Sequence, residues 1–282
     1  MRGGTQEAAG RFRALHERGG LFVMPNPWDA GTARLLSQFG FEAIATSSAA
    51  LAWTRAQPDA SGAVTRDAAI AHARLLAEAS GLPVNGDFES GYGATPAEVA
   101  ETIRRACDAG VAGCSIEDQD QAGGGLYPLD EALRRLAAAR EVAARSGSGF
   151  VLTGRCEVFF HKHPDPLGEA VRRLKAYEAA GADVAYAPGV TTEQEVAAIV
   201  NAVAIPVNVL GGLGGVSNDI PALERLGVRR VSIGAGLAKV ALGAFLKSAQ
   251  ALADRRFAYD GAAASSTLNG AFAAAPEEDD ND

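Results

Sequence analysis

Residues 83–118 read PVNGDFESGYGATPAEVAETIRRACDAGVAGCSIED, and this stretch holds one full period of the pattern that organises the chain. A short apolar run, 83–87, leads into an acidic, glycine-rich loop. Across 96–109 apolar positions recur at three- and four-residue steps, the period of an amphipathic helix, and Gly110 closes the run where a C′ residue belongs. A second apolar run, 113–117, ends on Glu117 and is followed by Asp118. Strand, helix and strand in this order imply parallel pairing through a right-handed crossover.

Working outward, the same rhythm fills most of the 282 residues. Strand-like runs fall at 21–24, 42–46, 83–87, 113–117, 150–155, 184–188, 206–209 and 230–233, with helical patterns such as 129–144, 166–180 and 220–226 between them. Ala-Gly or Leu-Gly stops at 109–110, 180–181 and 226–227 precede several strands. Eight strands alternating with helices are the number that closes a barrel, so the expected fold is one (β/α)8 TIM barrel over residues 1–258. An open doubly wound sheet is the rival architecture. After 258 the chain turns Ala-, Ser- and Gly-rich and then acidic, and 259–282 is expected to be a solvated, disordered tail.

A net charge of −8 argues against a nucleic-acid partner. No apolar stretch reaches the ~20 residues of a membrane span, and the first residues lack the apolar segment of a signal peptide. Cys107, Cys114 and Cys156 form no CxxC pair and leave an odd count, the usage of a cytoplasmic protein with reduced thiols.

Barrel chemistry sits on the loops after the strands. The third run ends in Asp87 and Glu89, which strand alternation turns to one side, and the fourth ends in Glu117. The fifth carries Arg155, and the seventh carries Asn208. One such Asp is often only the N-cap of the next helix, and Arg155 alone can be a structural ion-pair partner. Carboxylates gathered from successive strand ends repel one another unless a cation lies between them. Oxygen donors without His or Cys favour Mg²⁺ or Mn²⁺ over zinc, and an arginine beside them suits a substrate carboxylate.

At these residues the chain resembles the isocitrate lyase/phosphoenolpyruvate mutase superfamily. The likeness covers about residues 10–257 and rests on Pro25-Asn26-Pro27-Trp28-Asp29-Ala30, Thr46-Ser47-Ser48-Ala49 and Pro58-Asp59. It continues through Asp87-Phe88-Glu89-Ser90-Gly91-Tyr92-Gly93, Ile116-Glu117-Asp118-Gln119, Arg155 and Asn208. The resemblance implies that Asp87 binds Mg²⁺ directly while Asp59, Glu89 and Glu117 hold metal-bound waters. It also implies that Thr46, Ser47 and Ser48 grip a substrate carboxylate with Arg155, and that Asn208 stands at the substrate's far side. Glu89 replaces the family's usual aspartate. A further implication is a homodimer or homotetramer, with the last barrel helix, within 237–256, exchanged between subunits.

The departures bear on the reaction. The lyases carry Lys-Lys/Arg-Cys-Gly-His on the loop after the fourth strand and an acidic residue after the sixth. Here that loop reads Asp120-Gln121-Ala122-Gly123-Gly124-Gly125-Leu126-Tyr127-Pro128, and Gly189 follows Pro188. The Lys and Asn of the phosphoenolpyruvate mutases are absent as well. The expected activity is therefore Mg²⁺-dependent C–C cleavage of a small 2-oxo acid through an enolate, by a lyase, hydrolase or decarboxylase. Its alternatives are P–C bond chemistry on phosphoenolpyruvate or phosphonopyruvate, and an inactive ligand-binding barrel. Three consecutive glycines predict a loop that is mobile without ligand, with Tyr127 either its proton donor or a packing residue. His161 and His163 read as a solvated loop pair or a rim proton relay. Gly211–Gly215 and Gly234–Gly236 read as turn glycines or a phosphate site.

Overall fold

The structure, a computed structural model, describes residues 2–212, 216 and 219–273. In chain order the strands are β1 (Phe22–Met24), β2 (Ile44–Ala45), β3 (Val84–Asp87), β4 (Gly113–Glu117), β5 (Gln119–Asp120) and β6 (Gly125–Leu126), then β7 (Val151–Arg155), β8 (Val184–Tyr186), β9 (Val207–Leu210) and β10 (Arg230–Ser232). Eight of them form one parallel sheet in the order β1-β10-β9-β8-β7-β4-β3-β2, while β5 and β6 pair as a separate antiparallel hairpin. Strands β1 and β2 end that order, and the Ala45 N–H donates to the Pro25 carbonyl at 2.9 Å across the seam. The chain is a (β/α)8 barrel, as its rhythm requires.

The helix foreseen over 96–109 is α5 (Pro96–Asp108). Thr95 caps it, accepting from the Glu98 N–H, while the Glu98 side chain accepts from the Thr95 N–H. This reciprocal box satisfies two end donors and fixes the start of the helix. Helices α2 (Ala30–Ser37), α3 (Ser48–Thr54) and α4 (Arg66–Ser80) precede it, and α6 (Leu129–Ser146), α7 (Pro166–Ala179), α8 (Glu193–Ala202) and α9 (Ile220–Arg225) follow it.

Alternation along the strands sorts side chains into two compartments. Val84, Cys114, Ile116 and Leu152 join the core beneath the outer helices. Asn85, Asp87, Ser115, Glu117, Thr153 and Arg155 hold the opposite parity and face the lumen. A helix that the sequence pattern did not reveal, α1 (Arg2–Glu17), closes the lower end. Its Phe12 and His16 pack edge-on with each other and with Phe22 of β1 in a second core that includes Met24, Val151 and Val184. A Cβ at Gly113 would meet the Val151 carbonyl at 2.6 Å and the Phe12 ring at 2.9 Å, so only glycine admits this plug.

Two C-terminal elements differ from a plain barrel. In α10 (Gly236–Ala253) only Ala238 and Ala251 are buried, whereas Val240, Phe245 and Leu246 are 63%, 66% and 65% exposed. Residues expected to open a disordered tail instead contain helix α11 (Ser265–Ala273). The Ala271 carbonyl accepts from Gln38 Nε2 at 2.6 Å, and Phe272 reaches Gly31 of α2. The apolar Leu268, Ala271 and Phe272, spaced along one helix, supply the contact that composition alone concealed. Residues 274–282, the rest of that tail, lie outside the described residues. Among the described residues no helix is long and apolar enough to cross a membrane. All three cysteines are free thiols, and Cys114 and Cys156 are packed in the core.

Candidate active site

The strand ends open into a cavity of about 460 Å³ at the mouth of the barrel. Asp59, Asp87, Glu89 and Glu117, the four expected metal residues, all line it, as do Thr46, Ser47, Ser48, Arg155 and Asn208. Asp87 is held by three neighbours. Ser48 donates both its backbone N–H and its hydroxyl to Oδ2 at 2.8 Å, and Arg155 Nη1 donates to Oδ1 at 3.1 Å. The Asp87 N–H in turn donates to Thr46 Oγ1 at 2.7 Å, which locks β3 to the end of β2. Ser47 caps α3, accepting from the Ala50 N–H at 3.3 Å. Two of the three residues expected to grip a substrate carboxylate thus also orient Asp87.

Glu89 follows β3 with φ of +47°, a left-handed conformation that a non-glycine residue adopts only under constraint. That kink buries its carboxylate, which accepts a hydrogen bond from Gln121. Arg155 Nη1 lies 3.3 Å from Glu117, and its Nε donates to Glu157. The Glu157 N–H donates to Asp118 Oδ1 at 2.8 Å, and Asp118 Oδ2 accepts from Arg173 at 3.0 Å and from Tyr177. A buried network therefore fixes the carboxylate that meets Arg155. Arg155 itself is enclosed by three carboxylates, so its charge serves the cluster.

Burial pushes the Glu117 carboxyl well above its ordinary range, more than Arg155 brings it back, and Glu157, Asp87 and Glu89 push it further. Glu89 and Glu157 are raised by burial as well, and each also feels the charge of Asp87. Asp59, at the open mouth, is raised by partial loss of water and then by Asp87. Burial opposes the charge on Arg155, but Glu157, Glu117 and Asp87 outweigh it and hold the guanidinium charged. Five carboxylates thus share the cavity with two guanidinium groups, Arg155 among them and Arg230 deeper in the wall, and with Lys239. Such an anionic excess in a cavity, built from oxygen donors alone, fits a hard divalent cation. Among the described residues no three acidic, His or Cys side chains already converge as a coordination shell.

Of the two sequence readings of Tyr127, proton donor or packing residue, the structure shows the packing contact. Tyr127 does not line the cavity; its ring lies against the Arg135 guanidinium, 4.5 Å from the ring centre. Arg135 is buried and donates to the carbonyls of Ser90, Gly93 and Ala94, so Tyr127 is clamped over the outer end of the β3 loop. The loop itself, expected to be mobile, is the β5–β6 hairpin. Asp120 Oδ1 accepts from the N–H groups of Ala122 and Gly123, and a Cβ at Gly123 would stand 2.2 Å from Asp120 Oδ2. The glycines serve a tight turn that carries Gln121 to Glu89.

Sequence reading missed Gln121, Glu157, Tyr186, Arg230 and Lys239, all in the cavity wall. Lumen parity at Glu157, Tyr186 and Arg230 was the available signal. Asn208 lies deeper than the carboxylates, donating to Ser232 Oγ at 3.0 Å and accepting from Arg230 Nε at 2.8 Å. His161 and His163 do not line the cavity, and Cys156 packs away from it. Of the two glycine stretches, Gly234 and Ala235 line the wall, whereas residues 213–215 lie outside the described residues.

Known proteins resemble the chain in sequence and in fold. The family described as phosphoenolpyruvate phosphomutase matches residues 12–253. A Corynebacterium glutamicum protein named as a 2-methylisocitrate lyase is 31% identical over 229 residues, 78% of this chain and 72% of the relative. A crystal structure described as a lyase or mutase from Burkholderia cenocepacia is 47% identical, with a TM-score of 0.91 over 96% of this chain and 98% of the other. Oxaloacetate acetylhydrolase in complex with its product oxalate is 25% identical, with a TM-score of 0.84 over 95% and 94% of the two chains.

Proposed function

The chain belongs to the phosphoenolpyruvate mutase family, within the superfamily that also holds the isocitrate and methylisocitrate lyases, and on that premise we propose that it is a cytoplasmic Mg²⁺-dependent enzyme that cleaves a C–C bond in a small 2-oxo acid through an enolate. The observation that carries this reading is the convergence of Asp87, Glu89 and Glu117 from adjacent strand ends on one cavity, where with Asp59 and Glu157 the carboxylates outnumber the cations. Asp87 is the direct metal ligand, oriented by Ser48 and Arg155, while Glu89, Glu117 and Asp59 act through water. When bound, Mg²⁺ (or Mn²⁺) supplies a Lewis acid for the oxo and carboxylate oxygens of the substrate. Thr46, Ser47 and Ser48 receive the carboxylate, and Gln121 steadies Glu89 from the hairpin. With Tyr127 turned away, the proton-handling groups that face the substrate are Glu117, Glu157 and Tyr186.

We further propose a homodimer or homotetramer in which α10 packs on a neighbouring barrel, because its apolar face is left open within one chain. Light scattering at micromolar concentration tests this, and a monomer contradicts it.

The activity is tested by a Mg²⁺-dependent screen of small 2-oxo acids and their adducts, with product analysis for C–C cleavage. Phosphorus NMR on phosphoenolpyruvate and phosphonopyruvate reads the P–C alternative. Turnover equal to a metal-free control throughout would favour a barrel that only binds.

A further inference from the structure

Beneath the carboxylates the cavity wall includes a second guanidinium. Arg230 lies on β10 with lumen parity, one register step below Ser232, and is 1% exposed. Its Nε donates to Asn208 Oδ1 at 2.8 Å, Nη2 to Thr153 Oγ1 at 2.9 Å and Nη1 to His16 Nε2 at 3.2 Å. Every one of these partners is neutral. A guanidinium has five N–H donors, so two remain beyond these three bonds. The other buried arginines are differently placed: Arg155, Arg173 and Arg135 each have a carboxylate within 4 Å. Among the described residues Arg230 has none.

An uncompensated buried cation is costly, and burial accordingly draws the Arg230 guanidinium down to about 9. A cross-barrel tie made only of neutral hydrogen bonds does not require a permanent charge; Gln or Met fills similar space without it. A charge retained at this depth, in the wall of a ligand cavity, calls for an anion from the ligand.

We propose that Arg230 is the counter-ion for a second anionic group on the ligand. The site then selects dianions, and a 2-oxo acid enters with its far carboxylate towards the barrel floor. The assignment rests on the reading of the mouth as a 2-oxo acid site, and it adds which 2-oxo acids fit. The mouth draws the oxo-acid end to its metal, the floor draws the other carboxylate, and Ser232 and Asn208 line the space between.

Calorimetry with pairs differing only in the far carboxylate tests it: succinate against butanoate without metal, and oxaloacetate against 2-oxobutanoate with Mg²⁺. The wild-type protein should prefer each dicarboxylate by about 10–100-fold, the worth of one charge-assisted contact. Arg230→Met should cut that preference to about threefold or less, and Arg230→Lys should keep part of it. A wild-type protein without preference in either pair overturns the assignment and requires no variant. So does a folded Arg230→Met protein that keeps the full preference. If the succinate preference is present and lost in Arg230→Met while Mg²⁺ adds nothing for the 2-oxo acids, the floor assignment stands and the metal reading fails.

Discussion

Arg155 and Arg230 stand in one cavity, the first 19% exposed and the second 1%, and live in opposite electrostatic surroundings. At the mouth, Arg155 is ringed by Asp87, Glu117 and Glu157, and those carboxylates hold it charged despite burial. At the floor, Arg230 donates to Asn208, Thr153 and His16 and lies over the Phe12 ring, none of them a carboxylate, and burial weakens its hold on the proton. The same side chain is thus a structural counter-charge in one place and an unspent charge in the other. Burial does not distinguish the two roles; the charge of the partners does.

The sharpest way to break this contrast is at Asp87. Asp87→Ala should remove measurable Mg²⁺ affinity in calorimetry and lower Mg²⁺-dependent turnover by at least about 10³-fold, while circular dichroism stays that of the wild type. The residue ends a strand in a cavity, so its loss opens no core. Undiminished Mg²⁺ binding would sink the assignment of the mouth. Glu89→Ala and Glu117→Ala should cost less, about 10–100-fold in metal affinity, because each acts through water.

Next in size is Arg155→Met, which leaves three carboxylates facing one another. Denaturant unfolding should show a loss of about 3–5 kcal/mol, the cost of an uncompensated buried charge. The loss should shrink at acid pH, where the carboxylates take up protons. An unchanged midpoint would mean that Arg155 is not what neutralises the cluster.

The mouth and the floor should also answer pH in opposite directions. Glu89 and Glu117 have folded-state values raised above their unfolded ones by burial, so their contribution to stability is full below the ordinary glutamate range and is lost as pH rises. Mg²⁺ should remove that alkaline loss by favouring the charged carboxylates. His16 is the reverse. Its Nδ1–H donates to the Phe12 carbonyl at 2.8 Å, Nε2 accepts from Arg230, and burial, then the Arg230 charge, lower it to about 3. Between pH about 3 and 6.5 the unfolded chain binds a proton that folded His16 refuses, so stability falls as pH falls through that window. The full effect is on the order of a few kcal/mol, and His16→Gln should flatten the acid limb of a stability–pH profile. An acid limb identical in the variant would show that the floor is not held by neutral His16.

Much of this contrast could be read from the chain, and the part that could not has a definite cause. Strand rhythm and Ala-Gly stops gave the barrel, and parity placed Asp87, Glu89 and Glu117 at its mouth, because both follow from local periodicity. Cross-barrel partners do not. Arg230 sits 77 residues from Thr153 and 214 from His16, and no local pattern announces those contacts. The Ser48 hydrogen bonds to Asp87, 39 residues apart, are hidden in the same way. The triple glycine left the loop's shape open, because its freedom serves a mobile loop and a tight turn alike; the turn is visible only through Asp120, folding back onto Gly123. The helix at 265–273 was concealed by its Ala- and Ser-rich composition, since its stability comes from docking on α2.

The smallest expected effect belongs to Tyr127→Phe. From the sequence, Tyr127 was either the loop's acid or a packing residue, and the structure favours packing. Its backbone N–H donates to the Asp118 carbonyl at 2.8 Å, its carbonyl accepts from Arg173 at 3.1 Å, and its ring faces Arg135. A phenylalanine keeps all three contacts, because two use the backbone and the third uses the face of the ring. Turnover should therefore stay within about twofold of wild type and stability within about 0.5 kcal/mol. Tyr127→Ala, which removes the ring, should cost about 1 kcal/mol through Arg135. The two variants separate the roles cleanly: a proton donor is lost in both, a packing ring only in the second. A fall of about 10²–10⁴-fold in kcat for Tyr127→Phe, with KM little changed, would mean that the hairpin swings its phenol into the cavity during turnover. In that case the hairpin would belong to the chemistry of the mouth, and the cavity wall would gain the acid that the loop otherwise lacks.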